Sequence, residues 1–301
     1  MSHRLFRRRD FNLGVGAVAA CGFARRGFAD KAKPDIAIGY AAITWGEKGV
    51  RQAITEIAQV GYPGIQLRSN ILKEFPSPEA LKAELAKAHL TFACYSGGGP
   101  SGDPAKRAAE VDKFLLGAKF AQAAGALAVQ ATTAQRGATV DPAALKELGH
   151  TLDEIGKRTA ELGVPLVLHP HMGQLVQNAE EVDAVMAATD PRLVKLLLDT
   201  GHYAAAGGDP VKAVKAHGKR LGMLHIKDVV DKGPDGKYQF VELGKGKVDF
   251  RAVFAALRAA GFHGWAVVEL DRVPAGRAPK DAAAANKEFL EKTVGLSVQT
   301  A

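Results

Sequence analysis

A chain of 301 residues, 47% hydrophobic and 24% charged, is long enough to bury a large core, and a single α/β barrel takes about 250 residues. The formal charge of +8 is unevenly placed: residues 1–29 hold six arginines against one acid, Asp10, and the rest has no dense basic stripe interleaved with aromatics. This argues against a nucleic-acid partner, and the lack of low-complexity runs argues against disorder.

Residues 1–29 read as an export signal. Arg7-Arg8-Arg9 leads into Asp10-Phe11 and a weakly hydrophobic stretch over 14–24, the order of basic, apolar and small residues found in leader segments. Arg8-Arg9-Asp10-Phe11 resembles the twin-arginine signal, which implies the twin-arginine export machinery as a partner and the periplasm as destination. Gly27-Phe28-Ala29 suits cleavage after Ala29, whereas Val18-Ala19-Ala20-Cys21 resembles a lipobox and would leave a lipid anchor on Cys21. The apolar stretch is far short of the ~20 residues of a spanning helix, so no stable membrane span is expected. Beyond residue 29 the one cysteine is Cys94, which excludes an internal disulfide and a thiolate zinc site.

From residue 34 on, short β-rich runs alternate with amphipathic stretches. Strands are expected over 36–40, 64–67, 91–95, 126–130, 165–169, 194–199, 223–227 and 264–270. Helices are expected over 49–60, 78–88, 104–124, 142–162, 179–188, 210–217, 250–260 and 279–293. Asp103-Pro104, Asp141-Pro142 and Asp209-Pro210 each place a cap acceptor before a proline at the first helical position. Gly61, Gly125, Gly163 and Gly261 close helices ahead of the next strand. Eight strand–helix units in alternation predict a parallel (β/α)₈ TIM barrel over residues 30–301, a single domain behind the signal. A doubly wound sheet loses support because no Gly-x-Gly-x-x-Gly follows the first strand. Lys232-Gly233-Pro234-Asp235-Gly236, inside the long crossover 229–248, marks a hairpin or lid.

Barrel enzymes carry their chemistry at the C-terminal ends of the strands, and ionisable residues gather there. The fifth strand ends His169-Pro170-His171 and the sixth Asp199-Thr200-Gly201-His202. The seventh ends His225-Ile226-Lys227-Asp228 and the eighth Glu269-Leu270-Asp271. A strand-end histidine taken alone has a duller reading as a hydrogen-bonded surface residue, and Asp199 one as a loop cap. Glu269 follows the apolar Ala266-Val267-Val268, so its carboxylate needs a partner. Convergence from four consecutive strands favours a site. Mixed imidazole and carboxylate donors suit Mn²⁺, Co²⁺, Fe²⁺ or Zn²⁺ better than Mg²⁺, with manganese or cobalt favoured.

Several segments carry a resemblance to a known family. They include His169-Pro170-His171-Met172-Gly173, Leu198-Asp199-Thr200-Gly201-His202, His225-Ile226-Lys227-Asp228, Leu243-Gly244-Lys245-Gly246 and Val268-Glu269-Leu270-Asp271-Arg272. On them the chain resembles the xylose isomerase-like TIM barrels, and among those the dehydratases of keto-cyclitols. The resemblance implies a divalent metal held by Asp199, His225 and Glu269, with His169 as the fourth ligand in the place where the isomerases and epimerases carry a glutamate. Relatives often carry Glu on the second strand, where this chain has Gln66 followed by Arg68.

The expected reaction begins with removal of a proton beside a carbonyl. His171 and His202 are the acid/base candidates, Lys227 stabilises oxyanion charge, Glu269 is counted with them as a catalytic candidate, and Trp45, Gln66 and Arg68 line the sugar pocket. The expected substrate is a keto-sugar or cyclitol. Elimination of water would make the chain a lyase, and return of the proton an isomerase or epimerase. A non-catalytic periplasmic sugar-binding barrel is the competing class. The sequence is compatible with a homo-oligomer.

Overall fold

The computed structural model describes residues 36–298 apart from Pro234. The expected signal segment, 1–29, with its cleavage and lipidation motifs, lies outside the described residues. Eight parallel strands close into a barrel: β1 (Ile36–Ala41), β2 (Gly64–Arg68), β3 (Thr91–Gly98), β4 (Val129–Ala131), β5 (Leu166–Leu168), β6 (Val194–Asp199), β7 (Leu221–Ile226) and β10 (Gly264–Val268). β8 (Asp228–Val230) and β9 (Gln239–Val241) pair antiparallel as a separate hairpin in the long crossover. Among the described residues, no helix is long and apolar enough to cross a membrane.

Parallel neighbours need crossovers, and amphipathic helices supply them. α1 (Val50–Val60) buries Val50, Ala53, Ile54 and Ile57 on one stripe against the strands. Val50, Ile54 and Ile57 each contribute roughly 1.5–3 kcal/mol when fully buried, so a charge at Ile57 would undo this face. α5 (Pro142–Glu161) and α8 (Pro210–His217) start as expected: Asp141 accepts from the Ala143 N–H, and Asp209 from those of Val211 and Lys212. Gly61 ends α1 with φ +88°, a left-handed turn that glycine adopts without steric cost.

Several expectations shift, among them the fourth strand, expected over 126–130 and found at Val129–Ala131. The helix expected over 104–124 (α4, Arg107–Ala123) begins three residues beyond Pro104, because Asp103 closes a separate turn by accepting from the Ala105 N–H. A helix that was not expected, α7 (Thr200–Ala205), starts on the last residue of β6 with no loop between them.

The barrel interior is layered with the two-residue period of its strands. One layer is apolar and compact, with Ala41, Ala93, Cys94, Ala128, Val167, Leu197, Met223 and Val267 packed together. Two residues further along β4, β5, β6, β7 and β10 come Gln130, His169, Asp199, His225 and Glu269. All five are buried, at 6% exposure or less. The strands therefore deliver one polar layer on top of an apolar floor, at the end of the barrel where the βα loops emerge.

Candidate active site

The ladders bring these side chains together. Asp199 and His225 are direct partners across β6 and β7. His169 and Glu269 stand one residue past their strands but continue the ladder, donating their N–H to Ala131 O (2.8 Å) and Ile226 O (3.1 Å). Asp199 Oδ2 lies 3.4 Å from His169 Nε2 and 3.3 Å from His225 Nδ1, and Glu269 Oε2 lies 3.5 Å from His225 Nδ1. His169 Nε2, Asp199 Oδ2 and His225 Nδ1 are buried without any hydrogen-bond partner. Orphaned buried polar atoms are costly, and three facing one another call for a shared cation. Ligand atoms ~2.1 Å from a tetrahedral cation stand ~3.4 Å apart, so the spacing fits. Within 4.8 Å of one another the donors form two triads sharing Asp199: His169/Asp199/His202 and Asp199/His225/Glu269. The residues fit a divalent metal ion.

Asp199 has a second task. Its Oδ1 accepts from the His202 N–H (2.8 Å) and caps α7, while Oδ2 remains directed into the cluster. The cap reading and the ligand reading of this residue hold together, one per oxygen.

Lys227 is fully buried, and its ammonium donates to Glu269 Oε1 (2.7 Å) and Asp271 Oδ1 (2.8 Å). It also lies 3.2 Å from His202 Nε2 and 4.5 Å from the centroid of the Phe240 ring, which the hairpin lays over it. Burial opposes its charge, but the three carboxylates of Glu269, Asp271 and Asp199 outweigh burial and drive its pKa up. Burial likewise opposes ionisation of Glu269, yet His225 and Lys227 hold it ionised, down to about 2. Asp199 is held well below the carboxylate range by Lys227 and His202 in spite of its burial. Burial lowers His169 to about 4. Burial and the neighbouring Lys227 put His202 well below the usual imidazole range. Both histidines are neutral at pH 7.

Gly201 makes room for this arrangement, since a Cβ there would sit 2.5 Å from the Lys227 stem. Thr200 Oγ1 braces the same strand end, donating to Lys227 O (2.7 Å) and accepting from the Lys227 N–H (3.0 Å). Asp228 accepts four backbone N–H bonds, from Val229, Gly244, Gly246 and Val248, which is the physical content of the Leu243-Gly244-Lys245-Gly246 motif.

Beside the cluster lies a cavity of about 200 Å³, lined by residues that include Gln66, Arg68, Ser96, Gln130, Thr132, His169, His171, Gln174 and Glu269. That size and polarity suit a small hydrophilic ligand. The His171 and His202 rings pack against each other with centroids 3.8 Å apart and planes tilted by 38°. His171 Nδ1 donates to Met172 O (2.7 Å), leaving Nε2 with a lone pair. Of the expected pocket residues, Gln66 and Arg68 line the cavity. Trp45 does not, as its indole N–H donates to Glu56 (2.7 Å) and its ring packs on Tyr40. Gln130 is an addition. It bonds both Gln66 and His169, and as a neutral amide it carries no sign of a site residue in the sequence.

Comparison with known proteins agrees with this fold. An inosose dehydratase of Lacticaseibacillus casei (strain BL23) is 29% identical over 302 residues, covering 88% of this chain and 98% of that protein. An inosose dehydratase of Geobacillus thermodenitrificans (strain NG80-2) is 37% identical over 158 residues, 48% of this chain and 53% of the relative, so that match spans about half its length. Among solved structures, the IOLI protein with a binding zinc atom has the same fold, with a TM-score of 0.71 at 20% identity over 86% of this chain and 98% of that one. A family model described as the xylose isomerase-like TIM barrel matches residues 54–293, and the chain belongs to that family.

Proposed function

We propose that this chain, an enzyme of the lyase or isomerase type, is a divalent-metal-dependent dehydratase of a keto-cyclitol or closely related keto-sugar. The observation that carries the reading is the set of unpartnered, buried nitrogen and oxygen atoms at His169, Asp199 and His225, beside a small polar cavity. The inosose dehydratase relatives supply the substrate class.

Asp199, His225 and Glu269 would hold the cation, which as a Lewis acid would draw charge onto a substrate carbonyl oxygen. The thiolate-free N/O donor set suits manganese, cobalt, iron or zinc. His171 is the base: it lines the cavity, and its Nδ1–H bond to Met172 O leaves Nε2 free to take the proton next to the carbonyl. The same imidazolium then returns that proton to the departing hydroxyl, so water leaves and a carbon–carbon double bond conjugated to the carbonyl remains. His202, neutral and packed against His171, fixes the plane of that ring. Lys227 keeps Glu269 ionised and oriented. Gln66 and Arg68 contact the substrate hydroxyls. The reading also includes export to the periplasm by the twin-arginine route, with a lipid anchor at Cys21 as the other outcome, and fractionation of the expressing cell tests it.

The chemical test is incubation of the metal-loaded protein with keto-inositols in D₂O. Loss of water with a new enone absorbance is the expected result. Exchange of the α-proton without water loss would instead make the chain an isomerase or epimerase. Neither event, in protein that holds its metal, would leave a sugar-binding barrel.

A further inference from the structure

Two buried amides link the outer faces of the two histidines that border the cluster. His225 Nε2 meets Gln66 Oε1 at 2.9 Å, Gln66 Nε2 donates to Gln130 Oε1 at 3.0 Å, and Gln130 Nε2 meets His169 Nδ1 at 2.8 Å. Both glutamines are 2% exposed, so water does not substitute for a link.

A carboxamide accepts at its oxygen and donates at its nitrogen. A row of amides therefore runs in one direction, from a donor at one end to an acceptor at the other. Turning both amides over reverses the row, and turning one sets like against like in a buried place. The imidazoles at its two ends cannot both donate into the row. In the sense shown, His225 gives its Nε2–H to Gln66 and keeps a lone pair on Nδ1, the atom 3.3 Å from Asp199 and 3.5 Å from Glu269. His169 receives the Gln130 N–H on Nδ1, so its hydrogen sits on Nε2 and faces the cluster.

We propose that the Gln66–Gln130 pair is a positioning relay that makes the two histidines unequal, with His225 the one imidazole ligand of the cation and His169 a hydrogen-bond donor. The Nε2–H of His169 faces Asp199, 3.4 Å from its Oδ2, where it would orient the carboxylate that holds the cation. The inference rests on the metal-centre reading above and specifies which residues serve it.

The test counts imidazoles on zinc by X-ray absorption. The wild type is expected to show one. A glutamate at either relay position accepts from both sides, which ends the one-way constraint and lets both histidines turn a lone pair inward. Gln130→Glu and Gln66→Glu are each expected to raise the count from one to two, and either variant suffices if the other does not fold. Imidazole ¹⁵N spectra of the metal-free wild type are expected to show the Nε2–H form for both His169 and His225. Two imidazoles on zinc in the wild type, or a count unchanged in a folded glutamate variant, would overturn the relay while leaving the metal centre standing. Failure of the wild type to bind zinc would overturn both.

Discussion

Replacing Lys227 by methionine removes one ammonium from among three carboxylates. That ammonium sits 2.7 Å from Glu269, 2.8 Å from Asp271 and 3.8 Å from Asp199. Asp271 is 31% exposed and rehydrates, but Glu269 and Asp199 stay buried at 8% and 0% side-chain exposure. Breaking a buried ion pair from one side costs about 3–5 kcal/mol, because the charge left behind has neither water nor partner. The lower end, about 3 kcal/mol, is expected, since Glu269 can take up a proton in the variant. In a domain of this size that is a fall in Tm on the order of 10 °C, read by calorimetry on metal-free protein. Saturating divalent metal should restore part of the stability, because a cation between Asp199 and Glu269 replaces the missing positive charge. A metal-free variant within about 1 kcal/mol of the wild type would refute the view that Lys227 is the counter-charge of this cluster.

Other outcomes follow from the same cluster and its surroundings. His169 titrates near 4 when folded against 6.5 for the free side chain. The folded state thus binds fewer protons, and about 3 kcal/mol of stability, complete above pH ~6.5, should be lost as pH falls from ~6.5 through 4. Urea midpoints of metal-free wild type and His169→Asn across that range read it, the variant having the shallower slope. Asp228→Ala strands four backbone N–H groups and should cost about 3 kcal/mol, with hydrogen exchange rising over residues 242–248 first. His171→Asn should lower kcat for water elimination by about 10²–10⁴-fold, while zinc affinity by calorimetry stays within about twofold.

How much of this was legible in the sequence depends on how local its cause is. The eight strands, the crossover helices and the 228–241 hairpin follow from periodicity and from Gly, Pro and Asp punctuation, which act over a few residues. α7 has no such mark because one residue, Asp199, both ends β6 and caps the helix, leaving no polar loop to signal the change. The charged and imidazole groups of the cluster stand out in the sequence by residue type. Gln130 does not: a neutral amide carries no such sign, and its part in the site depends on the register that sets β4 between β3 and β5. Trp45 has the chemistry of a pocket wall, but Glu56, one helix away, claims its indole N–H.

The most direct measurement is calorimetric titration of metal-free protein with zinc, manganese and cobalt, comparing the wild type with Asp199→Asn. Asp199 is common to both donor triads. One ion per chain is expected in the wild type, with affinity reduced at least a hundredfold in the variant. Absence of binding in the wild type, or binding that the Asn substitution leaves untouched, would contradict a cation held between these strand ends.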